Sequence, residues 1–521
     1  MDNTENNEFE IIPMRREDRT QGMIDISRDF ILPDMYADIK RILFANGRMS
    51  PDGCYVSGSK ASFGARMEFC VGFVTDEEEI RCATFSCDFE GNVTVAEDID
   101  SDIVFMPRFD SVSARSVNPR KIGIKARVNP GMFVWENRDC SAGYPESINY
   151  PDRMTFEEKK DKISLIKMKS FNVSGIESGD DISIDGTPAV KDILFCNITF
   201  SDTDAQGRDN AVAVNASADV SYAYTYEDRD GSEKVCFATH EIPVSYLMEA
   251  EGVSEKDSCF ARLHCDTVSF YPADDAAGQA KTIELDFSYS VLCSVCTAEE
   301  AEIVKDVYSV VYDCEPEQGE IKYSSYIRQD RGAVKSACQT PFKEDGEVIG
   351  VVGSVRNISL TEGADKGAEL SAQVSLSVII RENDGSTVCE NIDMPLSVPV
   401  GVPYSPALEG LSDMSLKSCS ASLGGGNISA QASVSVSSLT WENRREKCVR
   451  TVNVMGKSKI EDRKAFTVYY PCEGESLWDI AKKYRVTRNS LIMANSEKGG
   501  AEGKKALIIP KNKKSIFSGI I

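Results

Sequence analysis

The side chains best able to carry chemistry in this 521-residue chain are seventeen cysteines and two histidines, His240 and His264. Cys293 and Cys296 form the one close cysteine pair, but they lie in an apolar alternating stretch that would send them to opposite faces of a strand. No second pair stands at zinc-site spacing. His264 adjoins Cys265, and adjacent strand residues cannot face each other as a thiol–imidazole pair. The sequence therefore predicts no catalytic residues, no metal site and no cofactor.

The charge balance argues against a further class of function. The chain has 83 acidic and 58 basic residues, a net charge of −25. A nucleic-acid backbone needs a basic surface, so general nucleic-acid binding is not expected. After residue 466, however, ten basic residues face five acidic ones. This basic segment on an acidic chain suits an anionic wall polymer or an acidic protein partner.

The chain also lacks the sequence signals of a membrane or secreted protein. No run of eighteen apolar residues is present, and residues 1–7 have neither the basic start nor the apolar stretch of a signal peptide. We therefore expect no membrane span and residence in a cytosol. There the cysteines would remain reduced and serve as small buried hydrophobic residues.

Internal similarity predicts three related segments. The sequence Trp-Glu-Asn-Arg at 135–138 recurs unchanged at 441–444, and 109–113 parallels 265–269. Because such matches follow one order along the chain, they indicate three copies of one domain. The predicted organisation begins with a flexible acidic N-terminus at 1–26. Three domains follow at 27–138, 170–310 and 320–456, and a linker at 139–169 separates the first domain from the second.

The three copies have the pattern of β-rich, sandwich-like domains. Residues 214–226 alternate small or apolar with polar side chains and end at Asp-Arg-Asp-Gly, a hairpin signal that 370–385 repeats. Strand–turn–strand spacing of this kind predicts a mainly β, multidomain protein. One helix per copy is predicted near 33–46, because four apolar residues there share a helical face: Met35, Ile39, Ile42 and Leu43.

Three stretches of these copies resemble a known family. They are 32–43, with Leu-Pro followed by Asp-Ile-x-x-Ile-Leu, then Asn-Pro-Arg-Lys-Ile at 118–122, and 302–309. Each is similar to an element of the SPOCS domain, a repeated domain of spore-coat-associated proteins in clostridia. The resemblance implies a protein of the endospore envelope.

The last part of the chain follows a different pattern. Ser476 and Asp479 form an N-terminal capping box ahead of apolar residues at helical spacing, and Thr487 precedes a second short helix. Short strands are predicted at 469–472 and 506–509. The pattern indicates a small α+β unit of the order strand–helix–helix–strand.

This unit, at 466–510, resembles a LysM domain through 474–484, 491–495 and 503–510, and a basic tail follows at 511–521. The resemblance implies a shallow groove that binds N-acetylglucosamine-containing glycans, chiefly peptidoglycan. Mapped onto this chain, the glycan- or partner-binding residues are Gly474, Glu475, Ser476, Leu477, Ile492, Ala494 and Asn495.

The basic helix positions of the unit offer a second kind of contact. We expect them to form a partner-binding face in the coat: Lys482, Lys483, Arg485 and Arg488. Trp478 could stack on a sugar, but its position between Leu477 and Ile480 favours packing in the core.

Two functions remain open from the sequence. The first is a non-enzymatic scaffold of the endospore coat, made in the mother cell and held at the forespore surface, whose LysM-like unit binds a spore coat morphogenetic protein or a peptidoglycan-type glycan. The second is a cell-wall-associated, peptidoglycan-binding protein or the targeting subunit of a wall hydrolase.

Overall fold

The computed structural model of the chain describes residues 24–510 apart from nine short gaps. The gaps are 58–59, 95–100, 137–143, 146–147, 151–152, 185–188, 276–277, 459–465 and 497–505. The basic tail 511–521 and most of the predicted N-terminal segment lie outside the described residues. None of the helices in the described ranges is long and apolar enough to cross a membrane.

Twenty of the strands form three successive groups. Strands β1–β8 make the first group: Ile24–Ile31, Ile39–Ser57, Lys60–Thr75, Ile80–Thr94, Ser101–Phe105, Arg108–Asn118, Lys121–Asn129 and Met132–Glu136. Strands β9–β14 make the second: Phe156–Ser183, Val190–Arg208, Ala211–Glu227, Glu233–Glu249, Ser258–Asp274 and Ala280–Ser309. Strands β15–β20 make the third: Tyr312–Pro341, Gly346–Glu362, Gly367–Glu382, Thr387–Pro403, Leu408–Gly424 and Asn427–Lys457. The prediction of a mainly β protein is confirmed.

Each group contains two sets of three antiparallel strands with the same pairing order, and we call each group a sheet pair. The first group also contains a two-stranded sheet of β5 and β8. One set joins three consecutive strands, as β2-β3-β4, β10-β11-β12 and β16-β17-β18. The other pairs the first strand of the group with a later one, as β1-β7-β6, β9-β14-β13 and β15-β20-β19. In the second sheet pair the two sheets join at Gln206 and Ser258 into six strands.

Alternating burial along the strands builds a core inside each sheet pair. On β17 the side chains of Leu370, Val374 and Leu376 are almost completely buried, whereas Ser371 and Gln373 are only half-buried. Each such aliphatic side chain contributes roughly 1.5–3 kcal/mol when it leaves water. The alternation of residue types therefore determines which face of each strand points inward.

The helix predicted near 33–46 is wrong, because most of this segment belongs to β2. Two irregularities in the pairing of β2 with β3 fall between Ile39 and Arg41 and between Ile42 and Phe44. A bulge inserts an extra residue and shifts the alternation. Ile39 and Ile42 therefore contact the same core at a spacing of three, and this spacing mimics a helical period.

The predicted linker 139–169 is also partly wrong, since β9 begins at Phe156. The segment contains a charge run at 157–162, which lies on β9 and pairs with β14. Lys162 Nζ lies 3.4 Å from Glu300 Oε2, and Lys167 Nζ lies 2.9 Å from Glu299 Oε2. Cross-strand pairs of opposite charge favour the sheet register, so the charge run is a solvated strand.

Bulges also join the three sheet pairs to one another. One bulge in each of β6, β13 and β19 leaves a residue unpaired, and these residues are Asp110, Asp266 and Lys417. Asp266 accepts a hydrogen bond from Ser50 Oγ at 2.8 Å, Lys417 pairs with Asp202, and Asp110 accepts one from the Asn357 backbone N–H at 3.0 Å. The first pair thus contacts the second, the second the third, and the third the first, which closes a ring.

Candidate functional site

The C-terminal unit has the predicted order of elements, and we call it the C-terminal module. It contains β21 (Phe466–Tyr469), α1 (Leu477–Tyr484), α2 (Arg488–Asn495) and β22 (Leu507–Pro510). The first strand begins three residues earlier than predicted. It ends before Pro471, which has no backbone N–H to donate to a sheet.

The loop before α1 is built from the residues predicted to bind a ligand. Ser476 Oγ accepts the Asp479 backbone N–H, and the Asp479 carboxylate accepts that of Ser476, so the predicted capping box is confirmed. Gly474 has a positive φ of 82° at the turn. The Glu475 carboxylate accepts hydrogen bonds from Tyr469 Oη at 2.8 Å and from the Cys472 N–H at 3.1 Å. Ser476 and Glu475 therefore stabilise this loop.

Asn495 was predicted to bind a ligand, but the structure buries it. Its side chain is only 4% exposed, donates to the carbonyl oxygens of Leu491 and Ile508 at 2.8 Å, and accepts the Ile508 N–H at 2.9 Å. A buried amide needs such partners. Asn495 therefore fastens α2 to β22 and offers no polar group to a ligand.

The remaining predicted groove residues differ in how far they are open to solvent. Gly474, Ser476, Ile492 and Ala494 are exposed, and Leu477 is half-buried. Residues 497–505, which connect α2 to β22, lie outside the described residues. Within the described part, Leu477 and Ile492 are the large apolar side chains of this set that a ligand can reach, together with the small Ala494.

The C-terminal module is docked on the second sheet pair through an aromatic contact. The Trp478 side chain is 7% exposed, and its ring meets the edge of Tyr308 on β14 at a centroid distance of 4.9 Å. Trp478 Nε1 donates to Asp306 Oδ2 at 2.7 Å, and Tyr308 Oη donates to the Val486 carbonyl oxygen at 2.8 Å. The prediction that Trp478 packs in a core is confirmed. The core in which Trp478 packs includes Tyr308, a residue from outside the module.

The same docking occupies half of the predicted basic partner face. Lys482 Nζ lies 2.7 Å from Asp306 Oδ1, and Arg485 pairs with Asp313. Both cations are thereby directed toward the body of the protein. This arrangement does not support the prediction that they face a partner. The sequence of the unit gave no indication that it docks on the rest of the chain.

The other two predicted basic residues keep their side chains in solvent. Lys483 is 55% exposed and donates to Tyr469 Oη at 3.0 Å. The Arg488 side chain is exposed, while its backbone N–H donates to Glu157 Oε2 at 3.2 Å. An outside partner can reach Lys483 and Arg488.

Part of the second sheet pair matches a known protein family. Residues 189–271, which run from β10 into β13, match the family model described as SipL, SPOCS domain. This part of the chain is therefore similar to a SPOCS domain. No curated protein and no solved structure matches the chain. The resemblance inferred from the sequence is thus confirmed for the central part of the chain.

The segment that matches the SPOCS model contributes two strands to a cavity of about 200 Å³ at the centre of the ring. Each sheet pair lines it with two strands: β2 and β6, β10 and β13, β16 and β19. Arg262 of β13 connects all three pairs, because its Nε lies 3.1 Å from Asp413 Oδ1 and its Nη1 donates to the Met106 carbonyl oxygen at 3.2 Å. Sequence patterns gave no signal for this convergence.

His264, one of the two histidines, lines this cavity. Its Nε2 has no hydrogen-bond partner among the described residues. Burial, and then the nearby Arg262 guanidinium, lower the pKa of His264 to about 3. Burial likewise raises the pKa of the neighbouring Cys265 thiol to about 11. A neutral imidazole beside a protonated thiol is a packing arrangement, and an activated thiol would need the opposite shift.

Proposed function

We propose that this SPOCS-domain protein is a non-enzymatic scaffold of the endospore coat, made in the mother cell and held at the forespore surface. The observation that carries the proposal is the match of residues 189–271 to the SPOCS family. We further propose that the first and third sheet pairs are additional copies of this domain. The shared pairing order of the three sheet pairs supports this extension.

A closed ring suits a scaffold, because it fixes the distances between surfaces that different partners occupy. Two apolar clusters draw residues from all three sheet pairs and flank the central cavity. One contains Phe44, Phe195 and Ile379, and the other contains Met106, Phe260 and Leu411. Packing across all three junctions opposes their separation. The ring would therefore act as one rigid body.

In this proposal the C-terminal module is a LysM domain that provides the specific contact. Its accessible side chains support binding through Leu477 and Ile492, with Lys483 and Arg488 adding positive charge. We favour a spore coat morphogenetic protein as the ligand over a peptidoglycan-type glycan. The positive charge suits an acidic protein surface, and a neutral sugar would not use it.

The test uses the full chain and two variants. Leu477→Asp places a charge at the proposed contact, and Leu247→Asp places the same charge on an exposed leucine of β12. Immobilised protein is exposed to extracts of sporulating cells, and separate samples are sedimented with insoluble peptidoglycan. We expect one coat protein to be retained by the original chain and by Leu247→Asp, and lost with Leu477→Asp. Retention by all three would refute the proposed contact.

A second candidate function is targeting of a wall hydrolase, which the LysM-like sequence of 474–510 favours. The sedimentation arm separates the two functions. Strong binding to peptidoglycan that Leu477→Asp abolishes, without retention of a coat protein, would support the wall-targeting function. A cleared band on a peptidoglycan gel would contradict the non-enzymatic proposal.

A further inference from the structure

The two-stranded sheet of the C-terminal module has an apolar outer face. Thr467 and Tyr469 of β21 are half-buried, whereas Phe466 and Val468 are 61% and 50% exposed. Tyr470, directly after the strand, is 70% exposed. Ile508 of β22 is 42% exposed and lies opposite Val468 in the sheet register. We call Phe466, Val468, Tyr470 and Ile508 the apolar strip.

The apolar strip stands out against the opposite face of the same sheet. On that face Leu507 and Ile509 are 1% and 2% exposed in the core of the module. Thirteen large hydrophobic residues are exposed in the described ranges, and four of them belong to the apolar strip. Clustering of this kind marks a binding surface, whereas single exposed hydrophobic residues are ordinary.

The chain itself continues from one end of the apolar strip. Strand β22 ends at Pro510, the register partner of Phe466. The sequence then runs through four polar residues, Lys-Asn-Lys-Lys at 511–514, into Ser-Ile-Phe-Ser-Gly-Ile-Ile at 515–521. Four of these last seven residues are large and apolar: Ile516, Phe517, Ile520 and Ile521.

The length of this segment fits the apolar strip. Four residues are a common length for a connection that reverses the chain direction. From Phe466 to Tyr470 the apolar strip spans about 13 Å, and a seven-residue extended segment spans about 23 Å. Residues 515–521 are therefore long enough to cover the whole strip after one reversal.

We propose that the apolar strip is the docking surface of residues 515–521 of the same chain. A second copy of the protein is a poorer occupant, since a stable interface buries roughly 800 Å² on each partner, and copies that carry a net charge of −25 repel each other. A segment attached four residues away needs no such area, because its effective concentration is on the order of millimolar. This inference does not depend on the proposed function of the module.

The experiment places the photoreactive residue p-benzoylphenylalanine at position 508 of the full-length chain. After irradiation and proteolysis, mass spectrometry identifies the peptide linked to that position. We expect an intrachain link to residues 515–521. A cross-linked dimer, a link to another segment, or no link at all would each overturn the proposal.

Matched variants test which side chains of the segment are used. Ile516→Asp and Phe517→Asp should each lose the link, because a carboxylate cannot be buried on an apolar surface without a partner. Ser515→Asp and Ser518→Asp introduce the same charge at polar positions and should keep it. Equal cross-linking in all four variants would show that the segment is near the apolar strip without packing on it, which would also overturn the proposal.

Discussion

The ring junctions and the docking of the C-terminal module are built from different interactions. At the ring centre, Arg262 and Asp413 are each only 14% exposed and stand beside apolar clusters shared by three sheet pairs. At the module, one aromatic contact between Trp478 and Tyr308 is surrounded by ion pairs that water can reach. The ring therefore depends on apolar packing and on buried charges that are paired, whereas the docking of the module depends chiefly on one buried aromatic side chain.

The largest effect is expected at that side chain. Trp478→Ala should destabilise the docked module by about 3–5 kcal/mol, because it removes a buried aromatic ring and leaves a cavity. Hydrogen exchange of α1 and α2 in the full chain measures this loss. Met493→Ala, at a residue 76% exposed, serves as the control and should change little. Unchanged exchange in Trp478→Ala would mean that the ion pairs alone hold the module.

The next effect concerns the buried pair of the ring. Asp413→Ala should cost about 3 kcal/mol, since it leaves the Arg262 guanidinium buried without its carboxylate. Asp25→Ala breaks the exposed pair with Arg127 and should cost far less, because water screens that pair. Denaturant unfolding of both variants makes the comparison. Equal costs would remove the distinction between a buried ring centre and an exposed surface.

Acid should weaken the ring through His264. Its pKa is about 3 in the folded protein against 6.5 for an ordinary histidine, so the unfolded chain takes up the proton first. Stability is fully present above pH 6.5 and is lost as the pH falls toward 3. We expect a loss of about 3 kcal/mol between pH 6.5 and pH 4 from this residue.

His264→Gln should make unfolding less sensitive to acid over that range, as measured by denaturant midpoints at several pH values. His240→Gln is the matched control, because His240 is 35% exposed beside Asp180. If both variants keep the acid sensitivity of the original chain, the cavity is hydrated well enough to accept a charged imidazole.

The smallest effect is expected at the rim of the docked module. Lys482→Ala should cost only about 0.5 kcal/mol, since the Lys482 side chain is 40% exposed and its pair with Asp306 is screened by solvent. The cost should shrink further at high salt. A large cost that salt does not reduce would show that Lys482 is a main contact of the docked module. The module would then depend on an ion pair as the ring does.

Sequence reasoning identified the SPOCS resemblance, the β-rich character and the capping box of α1, because each depends on residues close together in the chain. It misassigned 33–46, where the bulges of β2 imitate a helical spacing. It also placed Asn495 and Lys482 in a binding site. Their actual partners, Ile508 and Asp306, come from other elements, so no local pattern could show that they were already engaged.

The strands and the two short helices of the module follow from the sequence alone, since alternation, helical periodicity and end-capping are properties of neighbouring residues. The tertiary structure alone decided the ring, the buried state of His264 and the docking of Trp478 on Tyr308. Residues 306 and 482 are 176 positions apart. Contacts over such distances form only when whole sheets pack together, and packing depends on the combined shape and charge of surfaces that no single segment encodes.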